Sequence, residues 1–99
     1  MEDKLHCIME YYSEALEEMM GAQGYANRAY HATAPDVRAE YVRMSRQELE
    51  HAESLKKLAH MKAKDDAMLM TVWNKHQEHL DRWKDSVVEK IKKAENKPM

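Results

Sequence analysis

Apolar residues recur at three- and four-residue intervals along almost the whole chain, and only Pro35 and Pro98 interrupt it as prolines. That spacing puts side chains on one face of an α-helix. Leu5, Ile8, Tyr12, Leu16 and Met19 begin such a row and predict a first helix over about residues 3–32. The stretch His31-Ala32-Thr33-Ala34-Pro35-Asp36 then breaks the pattern. Thr33 suits the cap of a new helix, Pro35 its first turn, and Asp36 the positive end of its dipole. A second helix is expected over about 35–62, with the apolar stripe Val37, Tyr41, Met44, Leu55 and Leu58. The polar patch Lys62-Ala63-Lys64-Asp65-Asp66 supplies the next break, with Asp65 as the expected cap of a third helix over about 66–94. One helix running straight through the patch is the alternative. In the third segment Leu69, Trp73, His76, Leu80, Trp83 and Val87 alternate in fours and threes, a heptad-like seam for another helix.

Composition narrows the class. A chain of 99 residues is a single domain, 1–99, and 43% hydrophobic with 34% charged residues argues against a fibrous or disordered chain. Two glycines and two prolines cannot serve the many turns of an all-β fold. The bulk is Ala, Glu, Lys, Leu, Met and Gln, all good helix formers. The expected fold class is therefore all-α.

The net charge of −2 carries no basic excess of the kind nucleic-acid binders show. No apolar run approaches the ~20 residues that span a bilayer. The opening Met-Glu-Asp is unlike a basic-then-apolar leader, and Cys7, the single cysteine, forms no intrachain disulfide. The expectation is a cytoplasmic chain without nucleic-acid or membrane partners. Lys90, Lys92, Lys93 and Lys97 read as favourable cations at a helix C-terminus. Helices of ~27–30 residues are ~40–45 Å long, whereas a compact domain of this size has a radius of gyration near 13 Å. A hairpin of such rods leaves part of its apolar stripes wet, so a homo-oligomer is expected.

Glu48-Leu49-Glu50-His51 contains Glu-x-x-His, which puts both side chains on one helix face. Helical bundles that hold two iron or manganese ions use this spacing on two helices and a single Glu on each of two others. A chain with 12 Glu and 6 His meets the spacing by chance nearly once, so its setting matters more than its presence. Glu48 and His51 fall inside the stripe through Val37, Tyr41, Met44, Leu55 and Leu58, where an unpaired charge is costly. The plain alternative is an ion pair, between the two or with a Lys or Arg across an interface. In an antiparallel hairpin turning near Thr33–Ala34, the first helix reaches the same height near residues 16 to 19. Glu18 belongs there to the row Tyr11, Ala15, Ala22, Tyr25 and Ala29, and is the better ligand. Glu17 belongs to a more polar row, and Glu14 lies one turn from Glu18; both are accessory candidates on what is otherwise a solvated acidic face. One chain thus offers half of a two-metal site, and a two-fold axis past Glu18 and Glu48 would complete both the six ligands and a four-helix bundle.

Residues ~5–60 resemble the encapsulated ferritins, half-length ferritin-like proteins built from a helical hairpin and a C-terminal helix. The resemblance lies in Glu18, in Tyr25 seven residues on, in Thr33-Ala34-Pro35-Asp36, and in Glu48-Leu49-Glu50-His51-Ala52. It implies a ferritin-like antiparallel hairpin plus C-terminal helix that completes a four-helix bundle by dimerisation, and rings of such dimers. It also implies a ferroxidase that oxidises Fe(II) at a di-iron site between two subunits. Glu18, Glu48 and His51 would be the ligands, with Tyr25 close by; manganese or zinc are the other candidate metals. The family also implies a place inside a protein nanocompartment. The ending Ala94-Glu95-Asn96-Lys97-Pro98-Met99 departs from the family's apolar docking peptide, the third helix is longer, and Met20 stands where family members tend to carry an acid.

His76 and His79 repeat a metal-like spacing, but His76 lies on the Trp73–Leu80 seam and reads as a packed histidine. Gly21 and Gly24, with Ala22, Ala26 and Ala29, suggest close helix approach. Two functions remain open: an iron-oxidising enzyme, or a metal-free helical oligomer acting as a structural or adaptor protein whose polar stripe residues set its register.

Overall fold

The computed structural model describes residues 2–99. Three α-helices follow one another: α1 (Glu2–His31), α2 (Pro35–Ala63) and α3 (Ala67–Asn96). No strand occurs among the described residues, so the chain is all-α. The helices run up, down and up. Ser45 of α2 donates to the Ala22 carbonyl of α1 at 2.6 Å, and Arg38 reaches back to Ala29, which fixes α1 and α2 as antiparallel. Tyr12 meets His79 while Tyr30 meets Lys97, so α3 runs parallel to α1. The result is a rod of 52 × 17 × 14 Å with a radius of gyration of 15.7 Å.

The expected helix limits hold to within about two residues, but two caps differ from expectation. Asp66, and not Asp65, begins α3: its carboxylate accepts from the backbone N–H of Met68 at 2.9 Å and of Leu69 at 3.1 Å. Asp66 is the residue in extended conformation immediately before the helix, the geometry a side-chain cap needs. Thr33 caps nothing. Ala34 is the N-cap of α2 and makes no side-chain cap bond. Pro35 at the first position removes one of the donors that would need capping.

The α1–α2 seam is made of small residues. Ala15, Ala22, Ala26 and Ala29 of α1 face Ser45, Ala52 and Ala59 of α2, all fully buried. The row of α2 buried within the single chain is therefore not the apolar stripe read from the sequence. Its buried positions are Arg38, Val42, Ser45, Leu49, Ala52, Lys56, Ala59 and Ala63. Val37 and Leu58 of the apolar stripe are each 44% exposed. Tyr41, Met44 and Leu55 are only half-buried. The physical reason is reach. Small side chains let two backbones approach, and the larger apolar residues one position away are displaced to the flank. Gly24 contributes nothing to this approach, since a methyl group there would meet no atom within 4 Å.

The bulky half of the core comes from α3. Leu69, Trp73, Leu80, Val87 and Ile91 are buried against Ile8, Met19 and Val42, and Trp73 is completely enclosed. The expected Trp73–Leu80 seam therefore packs on the chain's own hairpin, with Trp83 and His76 half-buried at its edge. The Trp73 indole N–H is buried without an acceptor, which costs about 1–3 kcal/mol against the burial of its rings.

Two cations sit in the buried stripe of α2. Arg38, 7% exposed, donates to the carbonyls of Ala29, Ala32 and Lys97. It thereby ties carbonyls at the end of α1 to the end of α3. Lys56, 8% exposed, donates to Asp81 of α3 at 2.6 Å and to Glu53 at 3.2 Å, and Lys84 of α3 closes on Glu53 at 3.1 Å. Burial pulls the Lys56 ammonium toward neutrality, but the hydrogen bonds to Asp81 and Glu53 outweigh it and hold its pKa above 10.5.

Two outcomes are expected. Asp66→Ala should lower unfolding stability by about 1 kcal/mol in chemical denaturation, while Asp65→Ala stays within about 0.5 kcal/mol of the parent. A raised folded pKa stabilises fully below the unfolded value and is lost as pH climbs through the folded one. Stability should therefore drop above about pH 10.5, and that drop should be shallower in Lys56→Met.

Candidate metal centre

Glu18 projects from the middle of α1, and Glu48 and His51 project from the middle of α2. The antiparallel register set by the Ser45–Ala22 bond brings them to one height. One potential ligand atom from each of the three lies within 4.8 Å of the others. They form the only such group of three or more His, Cys, Asp or Glu side chains among the described residues. Metal–oxygen and metal–nitrogen bonds of about 2.0–2.2 Å place two ligand atoms on one ion at most about 4.4 Å apart. The cluster is thus a rotamer adjustment away from gripping a single cation.

Its electrostatics favour one. His51 Nδ1 stands 3.7 Å from Glu18 Oε2, too far for a hydrogen bond. Glu18 is 30% exposed as a side chain, yet that oxygen is buried and has no hydrogen-bond partner. A buried carboxylate oxygen left without a donor is unusual, and a bound cation is one way to satisfy it. The Glu48 carboxylate lies over Gly21, one turn beyond Glu18 on α1. A methyl group added at Gly21 would sit 3.5 Å from Glu48 Oε2. Gly21 thus leaves room for this carboxylate beside the helix, whereas Gly24 has no such neighbour.

The site opens to the outside of the hairpin. On α2 the residues that reach α3 are Arg38, Arg46, Glu53 and Lys56. Glu48 and His51 belong to the other flank, with Val37, Tyr41, Met44, Leu55 and Leu58, and His51 is 57% exposed. Tyr25 stands two turns along α1 from Glu18. Its ring stacks on Tyr41 with centroids 6.3 Å apart, and Arg28 lies 5.6 Å from its centroid. Its hydroxyl makes no hydrogen bond to the cluster among the described residues.

Glu14 and Glu17 are exposed and stand outside the group of three. His76 and His79 are held by packing. His76 Nδ1 is 2.8 Å from the Val72 carbonyl oxygen and its ring meets Tyr12 edge-on at 4.7 Å, while His79 Nδ1 is 2.6 Å from the Tyr12 hydroxyl. The partnership of Tyr12 with both histidines was not foreseen, because residues 67 apart share no local spacing signal.

No family model, no curated protein and no solved structure matches this chain.

Proposed function

We propose that this chain is a ferroxidase of ferritin-like design, which binds Fe(II) as substrate at Glu18, Glu48 and His51 and completes its site with a second copy of itself. The observation that carries the reading is the convergence of the three ligand atoms within 4.8 Å around a buried carboxylate oxygen that has no donor. Two carboxylates and an imidazole suit iron or manganese, and zinc accepts the same donors. The carboxylates also favour Fe(III) over Fe(II), which lowers the energy of the product.

The surroundings support a shared site. The stripe Val37, Tyr41, Met44, Glu48, His51, Leu55 and Leu58 is centred on Glu48 and His51. An isologous two-fold axis through that centre would set Val37 of one copy beside Leu58 of the other and cover both. It would also bring two sets of Glu18, Glu48 and His51 together as six ligands, the complement of a two-metal carboxylate centre, and the two hairpins would form a four-helix bundle. Crowded carboxylates on such an axis repel until cations neutralise them, so assembly and metal binding reinforce each other.

The reaction balances simply. Two Fe(II) ions lose one electron each, dioxygen accepts both, and two protons complete hydrogen peroxide. Peroxide as oxidant accepts two electrons and two protons and becomes water. The protein's part is to hold two ions close together on fixed carboxylates, with His51 as the neutral donor. Tyr25 and Tyr41 wall one end of the surrounding face. Enclosure in a nanocompartment rests on the family resemblance alone.

Two measurements test this. Metal-stripped protein given Fe(II) in air should form Fe(III) with saturable kinetics, and Glu18→Ala, Glu48→Ala and His51→Ala should each slow the rate at least tenfold. Glu17→Ala should change it less than twofold. Equal rates in all of these proteins would leave the metal-free structural reading, in which Glu18 and His51 form an ion pair. Sedimentation should show a dimer or a ring of dimers, weakened by chelator; a folded monomer at low micromolar concentration with iron present would remove the shared site.

A further inference from the structure

On the far flank of α1 an open, shallow recess lies between α1 and α3. Its volume is about 300 Å³, and it is lined by Gln23 of α1 and by His79, Arg82, Trp83 and Ser86 of α3. Each of these five side chains carries an N–H or O–H donor, and none is an acid. In a chain of net charge −2, such a lining is a departure from the average surface.

Arg82 is the unusual member. Arg28 lies over the Tyr25 ring, Arg38 binds three carbonyls, Arg43 pairs with Glu40 and Arg46 pairs with Glu95. Among the described residues Arg82 alone of the five arginines has no such partner. Glu78 and Asp85 stand four before and three after it on the same helix, at pairing distance in sequence, yet neither forms an ion pair with it. The guanidinium fork is left facing solvent at a recess whose other lining side chains can each donate and include no acid.

His79 is prepared for the same task. The Tyr12 hydroxyl lies 2.6 Å from His79 Nδ1. In one of the two tautomers of the neutral ring, the phenol donates to that nitrogen. That tautomer carries its hydrogen on Nε2 and offers a donor to a ligand. The edge of the Tyr12 ring contact with His76, 4.7 Å between centroids, fixes the phenol that sets this tautomer.

We propose that the recess binds a small tetrahedral oxyanion, phosphate as the free ion or as a monoester. Arg82 supplies the bidentate, charge-assisted contact; His79, Gln23 and Ser86 donate to the remaining oxygens, and Trp83 walls the recess. Tyr12 is a positioning residue that acts through His79. This site is independent of the iron reading: it lies on different residues and needs no metal.

The test is calorimetric titration of chelator-treated, metal-free protein with inorganic phosphate at constant ionic strength, with sodium chloride as the reference. Saturable binding with a Kd of about 1 mM or tighter is expected. Arg82→Gln should weaken it at least tenfold without changing the thermal midpoint, because Arg82 is exposed and unpaired. Lys75→Gln, a charge loss on the same helix outside the recess, should leave it within twofold. Tyr12→Phe should weaken it several-fold and move the His79 ring-nitrogen NMR signals toward mixed tautomers. Glu48→Ala should bind as the parent does, which separates this site from the iron site. A second arm uses glycerol phosphate: tighter binding than inorganic phosphate assigns a monoester, weaker binding assigns the free ion. Absence of saturation by about 20 mM in both arms, or equal affinity in parent and Arg82→Gln, overturns the proposal.

Discussion

The close approach of α1 and α2 along an alanine seam is the constraint from which the other features follow. Two long helices can lie against each other only as near as their intervening side chains allow, and here those side chains are Ala15, Ala22, Ala26, Ala29, Ala52 and Ala59. The consequence is a shallow interface that buries little apolar area per residue. Among larger apolar side chains of α1 and α2, Ile8, Met19, Val42 and Leu49 are buried in the core, and several others lie on the flanks. One flank is covered by α3, whose Trp73, Leu80 and Val87 supply the bulk that the seam lacks. The other flank keeps Val37, Tyr41, Met44, Leu55 and Leu58 at its surface, with Glu18, Glu48 and His51 at its centre.

The same closeness explains why polar groups hold the register. A seam of methyl groups slides easily, because one alanine is much like the next. Ser45 prevents this by donating to the Ala22 carbonyl, and Arg38 prevents it at the turn by gripping Ala29, Ala32 and Lys97. Lys56 does the same between α2 and α3 through Asp81 and Glu53. Ser45, Arg38 and Lys56 are themselves buried, so a one-turn slip would take each of these donors away from its acceptor. The alignment of Glu18 with Glu48 and His51 is thus set by contacts that themselves hold no ligand.

Helix α1 separates two surfaces of opposite chemistry. On one side the side chains converge as acceptors, two carboxylates and an imidazole, around an oxygen that lacks a donor. On the other, Gln23, His79, Trp83 and Ser86 line an open recess with Arg82, and none of them is an acid. A slender rod has so little interior that ionisable groups collect on its flanks, and each flank takes the character of the residues that the packing turned toward it.

Much of this was legible in the sequence. Pro35 and the Lys62–Asp66 patch marked both helix breaks, the Trp73–Leu80 seam marked the buried face of α3, and counting residues back from the turn placed Glu18 level with Glu48 and His51. These are properties of spacing along a helix, which is locally determined. What tertiary structure decided was which of two equally regular rows on α2 faces inward. Val37, Tyr41, Met44, Leu55 and Leu58 are the more apolar row, but Val42, Ser45, Leu49, Ala52 and Ala59 permit the closer contact, and closeness prevailed. The choice of Asp66 over Asp65 as cap depended on which backbone turned extended first, and the partnership of Tyr12 with His79 on where α3 lay across α1. Periodicity sees the face of a helix but not its distance from the next one, and that distance is set only when the helices pack.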